Sequence, residues 1–171
     1  MTIGIVILVI ALIIAPIMAV LPSKEDKAKM QKRRLAMSRG IGVEMTNIED
    51  PDTDPKKYRS STGKPLPRRL SVAAYRQTRK SARDLGIEWA IVSSAARGRT
   101  EFTPGWFTET PCQNIVVEEF LKSNIAKLSG DVVRIEEKNR FVSVYWKESG
   151  DVTEVIDFLE RCTALDVVQN G

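Results

Sequence analysis

The sequence predicts an α+β protein in which an N-terminal transmembrane helix is followed by a small antiparallel sheet with two helices packed on one face. Three observations predict it. Residues 3–21 are apolar and uncharged over a spanning length. Short apolar runs, several of them alternating, recur at 43–48, 70–76, 87–94, 131–138 and 140–148 and read as strands. Two stretches, 114–128 and 151–162, place their apolar residues at helical spacing.

The 19 residues of the first stretch reach about 28 Å as a helix at 1.5 Å per residue, close to the hydrocarbon thickness of a bilayer. Pro16 kinks its last turns and Pro22 ends it. A cleaved leader needs a basic start and small residues at the cut; only Met1 and Thr2 precede this run and Ala19-Val20-Leu21 ends it. Lys24, Lys27, Lys29, Lys32, Arg33, Arg34 and Arg39 follow on one side, which predicts an outside N-terminus and a cytosolic C-terminal domain. The expected location is a bacterial inner membrane, crossed once. The organisation is then an anchor at 1–22, a basic juxtamembrane helix at 23–40, and an α+β domain at 41–171 with a flexible basic loop at about 49–69.

Ser23 and Asp26 resemble a capping box ahead of good helix formers, and Gly40 and Gly42 stop that helix. A strand at 43–48 leads into a segment rich in Pro, Asp and Ser, a loop. Residues 70–76 alternate as a strand, although 71–86 also fits a helix; residues 87–94 form a buried strand with Trp89 and Ile91 on one face. Residues 95–111 read as a long loop carrying Phe102, Trp106 and Phe107, which either closes over the core or awaits a partner. A helix then places Val117, Phe120, Leu121 and Ile125 inward. A hairpin follows around Lys138, Asn139 and Arg140, with Val142, Val144 and Trp146 opposite in face to Phe141, Ser143 and Tyr145. The last helix points Val155, Ile156, Leu159 and Cys162 inward, so Cys162 is a small core residue.

Charge is divided unequally along the chain: residues 1–100 carry 19 Lys and Arg against 9 Asp and Glu, and residues 101–171 carry 7 against 13. From Lys56 to Arg83 there are ten basic residues and no acid. Anionic lipid, nucleic acid and an acidic protein all fit such a stretch, and the plain alternative is a solvated loop. Only Tyr58 and Tyr75 interleave with it, too few rings for a single-strand nucleic-acid binder.

Catalysis finds little to build on. Histidine is absent, which removes the commonest general base and every Ser-His or Cys-His pair. Cys112 and Cys162 lack zinc-ligand spacing, and in the cytosol they are expected to stay reduced, without a disulfide. Glu118-Glu119 and Glu136-Glu137 are neighbours whose carboxylates diverge. Residues 60–64, Ser-Ser-Thr-Gly-Lys, lack the upstream glycine and following hydroxyl of a phosphate loop.

An early apolar span, Pro22 at its edge, a lysine-rich helix and a strand make residues 1–48 resemble the YajC family, accessory subunits of the bacterial Sec translocon. That family's sequence signatures are degraded here to Leu21-Pro22-Ser23-Lys24 and Gly40-Ile41-Gly42-Val43-Glu44-Met45-Thr46. The resemblance implies association with a membrane complex and transfers no functional residue. The expected function is therefore non-enzymatic and needs no cofactor: a single-pass protein whose cytosolic domain binds a protein partner or complex at anionic lipid. A tethered nucleic-acid binder using residues 56–83 is the alternative. Lys32, Arg33, Arg34, Arg68, Arg69, Arg76, Arg79, Trp106 and Phe107 are the candidate lipid or partner contacts.

Overall fold

The computed structural model describes residues 23–52, 54, 56–80, 87–94 and 98–167. The chain divides into two units, Met1–Lys32 and Arg33–Gly171. Helix α1 (Lys24–Ser38) begins in the first and ends in the second, and Ser23 opens it with a reciprocal cap: Ser23 Oγ accepts from the Asp26 N–H at 3.1 Å while Asp26 Oδ2 accepts from the Ser23 N–H at 3.2 Å. The second holds strands β1 (Gly42–Glu49), β2 (Arg69–Thr78), β3 (Trp89–Val92), β4 (Thr100–Thr103) and β5 (Trp106–Thr110), then helix α2 (Ile115–Asn124) with a 3-10 turn at Ile125–Lys127. Strands β6 (Val132–Lys138) and β7 (Phe141–Trp146) and helix α3 (Val152–Thr163) complete it.

No helix among the described residues is long and apolar enough to cross a membrane. This overturns the expected transmembrane helix, and with it the single-pass topology, the inner-membrane location and the cytosolic side assigned to the domain. The longest described helix, α1, has 15 residues and is charged on all sides, whereas a span needs about 20 apolar ones. Residues 3–21, on which that expectation rested, lie outside the described residues.

The sheet is also larger than expected. Seven strands run in the order β1-β2-β7-β6-β3-β5-β4, every neighbouring pair antiparallel, where five were expected. The stretch expected to be a loop at 95–111 contains the β4–β5 hairpin, turned at Gly105, whose φ of +81° is left-handed and suits glycine. Thr, Phe and Trp are strand formers, and their enrichment on both sides of Pro104-Gly105 is the signal for that hairpin. Asn139 and Arg140, both at positive φ, make the two-residue β6–β7 turn that matches strand twist.

One face of the sheet carries the main core. Ala73 and Tyr75, Ile135, and Val142, Val144 and Trp146 meet Val117, Leu121 and Ile125 from α2 and its extension, and Val155, Ile156, Leu159 and Cys162 from α3. Burying each large side chain stabilises by about 1.5–3 kcal/mol before ordering costs. Asn114 and Asp151 cap α2 and α3 by accepting from their first-turn N–H groups. The opposite face holds a small second cluster of Val72, Ala74, Val133 and Tyr145, with Ile48 and Leu70 against it.

Candidate interaction surface

The two edges of the sheet differ in a way that matters for binding. β4 is four residues long and its register with β5 shifts between Glu101 and Thr103. Shortness and irregularity are common protections against pairing with another chain. β1 has neither: its eight residues pair with β2 in unbroken register from Gly42–Arg76 to Glu49–Arg69. It holds no Pro and no Lys, and no strand among the described residues covers its outer side. Met45 is 55% exposed there, and the strand's only charges are Glu44 and Glu49.

Behind that edge, the open sheet face carries a chain of polar contacts. Arg76 pairs with Glu44 at 2.7 Å; Tyr145 donates to Glu136 at 2.6 Å, and Arg134 Nε donates to the other Glu136 oxygen at 2.7 Å. Arg134 also pairs with Glu109, which accepts from Arg99 at 2.9 Å. Arg99 further donates to the Pro51 carbonyl at 3.0 Å, tying the β3–β4 connection to the β1–β2 connection. Burial, then the Glu136 hydrogen bond, pushes the Tyr145 phenol up. Burial alone would lower Arg134, but Glu136 and Glu109 outweigh it and hold the guanidinium charged.

The basic stretch does not form one positive surface. Arg68 pairs with Glu49, Arg76 with Glu44, Lys57 with Asp50 and Asp52, and Arg79 with Glu137. Acids outside the run, from Asp52 close by to Glu137 58 residues from Arg79, thus neutralise it. Exposed Lys56, Arg59, Lys64, Arg69 and Lys80 remain, while Arg83 lies outside the described residues. Lys56, Arg59 and Lys64 sit on an arm between β1 and β2, closed by an Arg59–Pro65 bridge and a turn in which the Ser60 and Lys64 main chains bond at 2.9 Å. Asp50 anchors its base: burial would raise its carboxyl, but hydrogen bonds from Lys57, Tyr58 and the Asp52 N–H hold it below the ordinary value.

The other expected contacts are scattered. Lys32 is half-buried in the first unit, and Arg34 is exposed on α1. Arg33 donates to both oxygens of buried Glu148 at 2.9 and 2.5 Å, and Tyr75 joins them at 3.0 Å. Trp106 is 9% exposed and belongs to the main core, with Phe107 half-buried beside it on β5. The aromatic segment therefore closes the core. Only Arg76 of the expected residues falls within the polar chain of the open face, and Arg68 reaches β1 through Glu49.

A second charged centre is wholly internal. Arg79 makes two 2.6 Å bonds to Glu137, whose carboxylate also accepts from Trp89 at 2.9 Å, and Arg79 reaches the Cys162 carbonyl at 3.0 Å. The side chains are 2% and 1% exposed, so neither carboxylate nor guanidinium meets solvent. Both cysteines are free thiols. Burial pushes the Cys162 thiol up to about 12 and raises Cys112 as well, opposite to what an activated nucleophile needs. Among the described residues no group of three or more Cys, Asp or Glu side chains is placed to hold a metal ion.

Sequence reasoning missed β1 as an edge, because strand order is a long-range property, and it missed Glu137 and Glu148 because their partners lie 58 and 115 residues away. No family model, curated protein or solved structure matches this chain.

Proposed function

We propose that this protein is a non-enzymatic interaction module that binds a protein partner by adding an extended segment of that partner to the outer side of β1. The observation that carries this reading is the contrast between the two edges: β4 is short and bulged, whereas β1 is long, regular and uncovered by any described strand. A regular edge of this length with no described strand beside it is a template for strand addition, in which the main chain supplies affinity and alternate side chains supply selectivity. Glu44 and Glu49 stay 57% and 73% exposed within their pairs with Arg76 and Arg68, so a Lys or Arg of the added segment can share each carboxylate, with an apolar residue near Met45.

The test is a photoreactive residue at Met45 in the full chain, expressed in its own cells, with captured molecules identified by mass spectrometry. A protein partner crosslinked through an extended segment, and lost in Glu44→Lys/Glu49→Lys, is the expected result. Hydrogen exchange at the β1 amides should slow when that partner is added. Capture of RNA or DNA instead, with exchange at β1 unchanged, would transfer the binding role to the basic arm.

A further inference from the structure

A cavity of about 250 Å³ opens on the sheet face opposite the helices, at the end nearest the β6–β7 turn. We infer that it is a binding site for a monoanionic carboxylate joined to an apolar or aromatic body.

The register assembles its floor. Ser143 of β7 lies across from Arg76 of β2 on one side and from Glu136 of β6 on the other, so three strands present these side chains in one row. The next row pairs Phe141 with Lys138, and Asn139 of the turn completes the rim. Ser143 is 4% exposed, and its hydroxyl has no hydrogen-bond partner among the described residues. The hydroxyl faces the cavity, where it offers one donor and an acceptor that a ligand oxygen can engage.

The charges choose the ligand. Both Glu136 oxygens are already occupied, one by Tyr145 and one by Arg134. Arg76 is engaged by Glu44 at 2.7 Å. Lys138 has no ion pair among the described residues, so the cavity has one positive charge available, enough for a monoanion. Phosphate as a dianion exceeds it, and a cation meets Lys138 with no free carboxylate to offset the repulsion. Phe141, 47% exposed, offers a ring face at the rim, where a ligand's apolar body gains by being covered. The oxygen end lies towards Ser143 and Lys138, and the apolar end towards Phe141. This site stands apart from strand addition at β1 and does not depend on it.

Such a carboxylate comes either from a free aromatic acid or from a peptide C-terminus ending in an aromatic residue, and the test separates them. The full chain, labelled with nitrogen-15, is titrated with benzoate, with a short peptide ending in phenylalanine, with inorganic phosphate and with cyclohexylammonium. Saturable amide shifts confined to Lys138, Asn139, Phe141 and Ser143 are expected for benzoate or the peptide, with affinity at least tenfold above that for phosphate or cyclohexylammonium. If the peptide binds tenfold tighter than benzoate, the source is a chain terminus; the reverse order identifies a free acid. Lys138→Glu, at an exposed position, should abolish the shifts while leaving the spectrum dispersed. Ser143→Ala should weaken binding several-fold. Absence of saturable shifts, undiminished binding by Lys138→Glu, or equal binding of all four probes would overturn the assignment.

Discussion

At the scale of single residues, the ion pair of Arg79 and Glu137 shows how burial changes the meaning of a charge. In the sequence both belong to runs that look solvent-facing; folded, each is almost wholly covered and saturated by hydrogen bonds. Removing one partner strands the other, so Glu137→Ala is expected to destabilise the protein by about 3–5 kcal/mol, read from urea denaturation. Arg79→Met/Glu137→Leu should recover most of that loss, because the desolvation cost disappears with both charges. The thiols give a second expectation at this scale. At pH 8 Cys112 should react with a disulfide reagent more slowly than free cysteine, and Cys162 should react only on unfolding, since burial raises both. Fast modification of Cys162 in the folded protein would contradict its place in the core.

At the scale of elements, the arm between β1 and β2 has an acid-sensitive base. The Asp50 carboxyl is held below its ordinary value in the folded state, so its contribution is fully present above the unfolded value of 3.8 and is lost as pH falls through the folded value. Asp50→Asn should therefore destabilise at pH 7 and flatten the loss of stability below pH 4, as measured by urea midpoints across that range. A variant with an unchanged acid limb would show that the Lys57 and Tyr58 contacts add nothing to folding. Helices were the most legible elements, because a stripe of Val, Ile and Leu sits within one local window, at Val117, Leu121 and Ile125 in α2 and its extension and at Val155, Ile156 and Leu159 in α3. The β4–β5 hairpin was hidden by its short strands, its bulge and the Pro104-Gly105 turn, which together resemble a loop.

At the scale of the whole molecule, sequence-distant pairings dominate the sheet. β2 is bonded to β7 through Ala73–Trp146 and Thr78–Phe141, and β3 reaches past α2 to β6. Closing such loops before their contacts form is slow, so folding of the Arg33–Gly171 unit is expected in milliseconds to seconds rather than microseconds. Tryptophan fluorescence in a stopped-flow experiment reads it directly, since Trp89, Trp106 and Trp146 are all buried. Microsecond folding would mean that local helix formation, not sheet closure, limits the rate.

The sequence by itself determined where α2 and α3 lie, which residues of β7 share a face, and that catalytic pairs involving histidine are absent; each is a matter of local spacing or of composition. Only the tertiary structure decided that β1 is an edge, that four cations of the basic stretch are neutralised by acids outside it, and that Ser143, Arg76 and Lys138 line one cavity. The reason is physical: helix phase and strand alternation are set by neighbours a few residues apart, whereas strand order, ion pairing and cavity shape arise when distant segments share a surface.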